Sequence, residues 1–184
     1  MPGDGAPAVF LDRDGTLMED VGYPRDPADV RLLDGAAEAL AQLGRAGFRL
    51  VVVSNQSGIG RGLITAEEAR TVHERFVAEL EHRGVHLDGA RYCPHAPDAG
   101  CECRKPAPGL LLAAADELGL DLEASFMIGD KAADVEAGRR AGCRTILLAP
   151  DGSASDGGSP AHADHVARTW PDALGFVLRS GAHA

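Results

Sequence analysis

Five short apolar runs punctuate the chain: AVFL (8–11), FRLVVVS (48–54), ARYC (90–93), SFMIGD (125–130) and CRTILLA (143–149). They are nearly continuous rather than alternating, which fits strands buried on both faces of a parallel sheet. Between them the apolar spacing becomes helical. Segments 35–46 and 66–83 show this best, and the second opens on Thr65 with Glu68 three residues on, a reciprocal capping pair. A further helix over 108–118 opens at a proline, which suits a first turn. A shorter one spans 131–141 and stops at Gly142. The end of the chain, DHVARTWPDALGFVLRSG, predicts a short edge strand and a closing helix. Strands alternating with helices predict a mostly parallel, Rossmann-like sheet in a three-layer α/β/α sandwich. The 184 residues are expected to form a single domain with a sizeable core. Residues 151–163, rich in Gly, Ser and Asp, predict a mobile loop.

Charge narrows the partners. The formal net charge of −10 argues against a nucleic-acid surface. No apolar stretch approaches the length that spans a bilayer, so no membrane association is expected. The opening MPGDGAPAVF lacks a basic stretch followed by an apolar one, which predicts no secretory leader and a cytoplasmic protein. Without an obvious apolar interface stripe, a monomer is expected. Of the 18 cationic Lys and Arg residues only Lys105 and Lys131 are lysine. In an arginine-biased sequence, surviving lysines mark places for a compact point charge, such as a grip on a phosphoryl group.

Polar clusters follow the apolar runs in the same sense. Asp12 and Asp14 follow the first, Ser54 to Gly58 the second, Cys93 to Lys105 the third, and Asp130 and Lys131 the fourth. In open α/β sheets, residues at the carboxyl ends of strands meet over one edge. Aspartate can attack phosphorus, but a carboxylate facing a phosphate dianion needs a cation between them. Asp12 and Asp130 are the candidate Mg²⁺ ligands, with the Asp14 carbonyl completing the set. Asp14 is the candidate general acid. Ser54 and Lys105 are placed to stabilise the transferring oxygens.

The segments DRDGT, SNQSG, RKP and GDKAAD, in that order, resemble the four motifs of the haloacid dehalogenase superfamily of phosphatases. The resemblance covers the chain to about residue 150. It implies that Asp12 is phosphorylated, that Asp14 protonates the leaving alcohol and then activates water, and that Asp12, Asp14 and Asp130 hold Mg²⁺. It also implies that Lys105 and Ser54 hold the phosphoryl group, with Asp134 orienting Lys105 or a metal-bound water.

The pattern C-P-H-x5-C-x-C brings Cys93, His95, Cys101 and Cys103 within eleven residues. Three thiolates and an imidazole match a closed structural Zn²⁺ site. It would order a loop with no core of its own and hold Arg104 and Lys105, which follow directly. A zinc loop without a cap domain is similar to the superfamily branch that acts on D-glycero-D-manno-heptose 1,7-bisphosphate, removing the 7-phosphate, and to the related histidinol-phosphate phosphatases. SNQSGIGRG favours the heptose side. By this similarity the substrate contacts are Arg13, Asp20, Gly22, Tyr23, Asn55, Gln56, Ser57, Gly58, Arg104 and Lys131. Arg104 would read the phosphate that stays. The zinc loop is short, with five residues between His95 and Cys101. A zinc module without activity would be expected to have lost Asp12 or Asp14, and both are present. Transfer to an acceptor other than water uses the same residues. His73, His82 and His86 are expected to be solvated or satisfied, Trp170 and Cys143 to pack, and Arg61 to lie at the surface or touch substrate.

Overall fold

A computed structural model describes residues 5–157 and 162–181. Six parallel strands form one sheet: β1 (Ala6–Leu11), β2 (Arg49–Asn55), β3 (Gly89–Cys93), β4 (Leu120–Gly129), β5 (Arg144–Leu148) and β6 (His165–Ala167). Their spatial order is β3-β2-β1-β4-β5-β6, and every neighbouring pair is parallel. The helices are α1 (Ala36–Arg45), α2 (Ser57–Gly60), α3 (Ala66–His82), α4 (Gly109–Leu118), α5 (Ala132–Ala141) and α6 (Trp170–Gly181). The expected α/β/α architecture is therefore observed.

The continuous apolar strands divide between two cores by parity. Val9 and Leu11 of β1, Leu50 and Val52 of β2, and Phe126 and Ile128 of β4 face one core. Ala8 and Phe10, Val51 and Val53, and Met127 face the other. Both faces are buried along these stretches, so they run apolar without alternation, whereas the first half of β4, Leu120 to Glu123, alternates with polar residues. Thr65 caps α3 as its sequence predicts: its side chain accepts from the Glu68 N–H while Glu68 accepts from the Thr65 N–H.

Two elements differ from expectation. β4 begins at Leu120, five residues early, because Ala6 and Pro7 pair with Leu120 and Asp121 before the register shifts to Val9–Phe126. The segment expected to be a mobile loop over 151–163 is packed in its first half. Ala154 is buried, the Ser155 N–H donates to the Asp130 carbonyl at 2.8 Å, and the Ser155 hydroxyl donates to the Asp130 carboxylate. Residues 158–161 of that segment lie outside the described residues. Among the described residues no helix is long and apolar enough to cross a membrane.

Candidate active site

The strand order reverses between β1 and β4, and the crevice at their carboxyl ends is where such a sheet places ligands. Asp12 directly follows β1, its N–H donating to the Ile128 carbonyl at 3.0 Å, and Asp130 follows β4. Gly15, at φ +85°, turns the chain so closely that a Cβ there would meet Asp130 Oδ2 at 2.5 Å. The next residue, Thr16, donates from its hydroxyl to Asp130 Oδ1 at 3.1 Å. Trp170 at the start of α6 pins this turn by donating from Nε1 to the Thr16 carbonyl at 3.0 Å, a bond added to its expected packing.

Lys105 reaches the centre from the loop after β3. Its Nζ lies 2.7 Å from Asp12 Oδ1, 2.6 Å from Asp134 Oδ1 and 2.7 Å from the Val53 carbonyl, and it is 3 % exposed. Burial opposes the ammonium, but Asp12 and Asp134 outweigh it and keep Lys105 above its usual pKa. Burial likewise opposes the Asp12 carboxylate, yet Lys105 and then Lys131 hold it below its usual value. Asp14 is shifted the other way: burial, aided by the Asp12 charge, raises its pKa against Arg13 and Gln56. Two carboxyls two residues apart are thus pushed toward opposite protonation states, the arrangement of a nucleophile beside a proton donor. Burial and the Asp12 charge also raise Asp130, and burial brings Asp134 up to about 7.

The oxygens of Asp12, Asp130 and Asp134 lie within 4.8 Å of one another. Such a cluster of buried carboxylates offers the hard donor set that Mg²⁺ takes. Lys131 Nζ closes it from outside, 3.6 Å from Asp130, 3.3 Å from Asp20 and 3.5 Å from the Asp14 carbonyl. Burial disfavours its charge, but Asp12 and Asp130 outweigh this and raise its pKa.

A cleft of about 270 Å³ opens over this centre. Asp12, Asp14, Ser54 and Lys105 line it with Asp20, Gly22, Tyr23, Asn55, Gln56, Ser57, Arg104 and Lys131. Gln56 Nε2 donates to Asp14 Oδ2 at 2.7 Å and to Ser54 Oγ at 3.1 Å. The buried Nη1 of Arg104 has no hydrogen-bond partner among the described residues, so a cation stands ready beside Lys105. Arg61 remains at the surface, donating to Tyr23 Oη at 2.5 Å.

Two expected substrate contacts are placed otherwise. Arg13 is 1 % exposed, does not line the cleft and pairs with Asp14. Residues two apart share a side of an extended chain, so the residue between two cleft-facing aspartates turns away. Gly58 is also off the cleft wall; a Cβ there would meet Tyr23 Cδ1 at 2.6 Å, so its absence lets Tyr23 pack in place.

Ser155 and Asp156 were not foreseen. Ser155 holds Asp130, while the Asp156 carboxylate accepts from the N–H groups of Ala132 and Ala133 at 3.1 and 3.4 Å at the start of α5. Only the Asp and Ser content of a turn-rich segment hinted at polar partners there.

The second cluster, Cys93, His95, Cys101 and Cys103, also gathers its ligand atoms within 4.8 Å. Cys93 Sγ is 3.6 Å from Cys101 Sγ and 3.3 Å from Cys103 Sγ, and His95 Nδ1 is 3.2 Å from Cys103 Sγ. A tetrahedron with metal–sulfur bonds of about 2.3 Å has edges of about 3.8 Å, so soft donors at these separations fit a small four-coordinate ion. Cys143 stands apart, buried in the core, as expected.

A HAD-hydrolase-like family model matches residues 102–173. D-glycero-β-D-manno-heptose-1,7-bisphosphate 7-phosphatase of Photorhabdus laumondii is 48% identical over 155 residues, covering 80% of this chain and 82% of that protein. The enzyme of the same name from Escherichia coli K12 is 44% identical over 153 residues, covering 79% and 80%. The crystal structure of the D,D-heptose 1,7-bisphosphate phosphatase of B. bronchiseptica, complexed with magnesium and phosphate, superposes with a TM-score of 0.84 at 30% identity, over 94% of this chain and 98% of that one. The fold and these matches define a phosphatase of the haloacid dehalogenase type. Within that class, the chain belongs to the heptose-1,7-bisphosphate 7-phosphatase family.

Proposed function

We propose that this protein is a Mg²⁺-dependent phosphatase that removes the 7-phosphate of D-glycero-β-D-manno-heptose 1,7-bisphosphate in the making of nucleotide-activated heptose. The observation that carries this reading is one cleft joining the Asp12–Lys105–Asp14 centre to a second, unpartnered cation, Arg104. A bisphosphate needs two anion grips. The family membership supports the substrate class, and the names of the relatives support the β anomer.

An Asp12 carboxylate oxygen attacks the 7-phosphorus, and the bond from phosphorus to the sugar oxygen breaks. Asp14, whose raised pKa favours the protonated form, gives its proton to the departing oxygen. Lys105 and Ser54 steady the equatorial oxygens. Asp14, now ionised, takes a proton from water as that water attacks the aspartyl phosphate, releasing phosphate and the Asp12 carboxylate. Asp12, Asp130 and the Asp14 carbonyl would hold Mg²⁺, which when bound offsets the charge of the phosphate beside the carboxylates. Asp134 holds Lys105 in line, and Arg104 grips the phosphate that stays. Asp20, Gly22, Tyr23, Gln56, Ser57 and Lys131 shape the sugar site.

Cys93, His95, Cys101 and Cys103 would hold Zn²⁺, whose role is to fold the loop that presents Arg104 and Lys105. Initial rates of phosphate release on the heptose bisphosphate and on histidinol phosphate test the reading. A preference for the bisphosphate supports it. A preference for histidinol phosphate, which offers Arg104 no second anion, would keep the chemistry and overturn the substrate.

A further inference from the structure

Behind Asp14, away from the cleft, lies a second cavity of about 250 Å³ walled by Arg13, Gln56, His73 and Tyr92 together with the start of α3. Arg13 is the largest fully buried side chain among the described residues. Its Nε donates to Asp14 Oδ1 and its Nη2 to Asp14 Oδ2, both at 3.1 Å. The guanidinium carbon sits 5.4 Å from the centre of the Tyr92 ring. The Tyr92 hydroxyl is hydrogen-bonded to His73 Nδ1 at 2.8 Å, and the two rings meet edge to face at 5.2 Å. A row of four side chains, His73, Tyr92, Arg13 and Asp14, thus runs from α3 through β3 to the loop after β1. The first three do not line the substrate cleft.

We propose that Arg13, Tyr92 and His73 are positioning residues that fix the Asp14 carboxyl for proton transfer. The inference rests on the reading of Asp14 as general acid. A forked pair of N–H bonds sets the plane of a carboxylate as well as its place. An aromatic face beside the guanidinium limits its tilt, and the hydrogen bond between the Tyr92 hydroxyl and His73 limits the tilt of that ring. Stability alone does not explain the arrangement, because a buried ion pair is often no more stabilising than apolar side chains of the same volume. A buried guanidinium aimed at a proton-transferring group is better explained by geometry, where a displacement of about 1 Å can cost about a hundredfold in rate.

The experiment compares kcat/KM on two esters: heptose 1,7-bisphosphate, whose alkoxide needs a proton to leave, and p-nitrophenyl phosphate, whose leaving group needs little help. Asp14→Asn sets the reference and should lose far more on the sugar than on the aryl ester. Arg13→Lys should reproduce that skew, losing about a hundredfold on the sugar and under about tenfold on the aryl ester, with KM for the sugar held within about threefold. Tyr92→Phe, which keeps the ring and loses the contacts of its hydroxyl with His73 and Arg13, should show the same skew at about tenfold, and it carries the test if Arg13→Lys does not fold. Equal losses on the two esters, or no loss, overturn the proposal. If Asp14→Asn itself shows no skew, the general-acid reading fails and the positioning claim falls with it. If Asp14→Asn shows the skew and the other variants do not, the positioning claim alone fails.

Discussion

The side chain of Asn55 and the main chain of Lys105 are joined by two hydrogen bonds: Asn55 Nδ2 donates to the Lys105 carbonyl, and the Lys105 N–H donates to Asn55 Oδ1, each at 3.0 Å. This pair ties the end of β2 to the loop that carries Arg104 and Lys105. Asn55 lines the cleft, as its sequence context suggests, yet its amide is committed to the protein. Replacing it with Ala should cost about 2 kcal/mol of stability, near 1 kcal/mol for each bond, read by urea unfolding. It should also lower kcat by about tenfold or more as Lys105 loosens. A rise in KM with kcat unchanged would instead make Asn55 a direct substrate contact.

Gly15 is a second place where the backbone serves the centre. At φ +85°, with Asp130 Oδ2 2.5 Å from where a Cβ would stand, Gly15→Ala must displace the carboxylate. The left-handed turn adds about 1 kcal/mol of strain. The variant should fold, and Mg²⁺ titration of its activity should show a half-saturating concentration raised by about tenfold or more, as losses around metal ligands commonly do.

Cysteine chemistry separates the two kinds of thiol. Burial pushes the Cys143 thiol up to about 12, so at pH 8 it is protonated and slow to alkylate. After removal of metal by a chelator, mass spectrometry with iodoacetamide should find the half-buried Cys101 and Cys103 modified first. Cys93, whose thiol burial also pushes up to about 12, and Cys143 should follow only on unfolding. With zinc bound, Cys101 and Cys103 should be protected as well.

The raised pKa of Asp14 fixes the sign of a pH effect. In the proposed mechanism, formation of the aspartyl phosphate needs protonated Asp14 and breakdown the ionised form, so in rapid-quench experiments the rate of formation should be full below the Asp14 pKa and fall as pH rises through it. Breakdown should rise over the same range. Parallel pH profiles for the two steps would remove Asp14 from one of them.

Much of this was legible in the chain. Continuous runs such as LVVV marked strands buried on both faces, and those strands put Asp12, Ser54, Lys105 and Asp130 at one edge. What escaped depends on contacts distant in sequence. Ser155 meets Asp130 25 residues away, and Trp170 meets Thr16 154 residues away, and no local periodicity reports either. The four-residue α2, SGIG, is too short and too rich in glycine to show a helical pattern. Arg13, named a substrate contact by the family similarity, does not line the cleft, because the two-residue alternation of extended backbone turns it to the side opposite Asp12 and Asp14.

The most direct test of the account is turnover of D-glycero-β-D-manno-heptose 1,7-bisphosphate with Mg²⁺, followed by phosphorus NMR, with Asp12→Asn run in parallel. The account predicts one phosphate released per sugar, loss of the 7-phosphate resonance, retention of the anomeric one, and no turnover by Asp12→Asn. Loss of the anomeric phosphate, or turnover by Asp12→Asn at the wild-type rate, would contradict it.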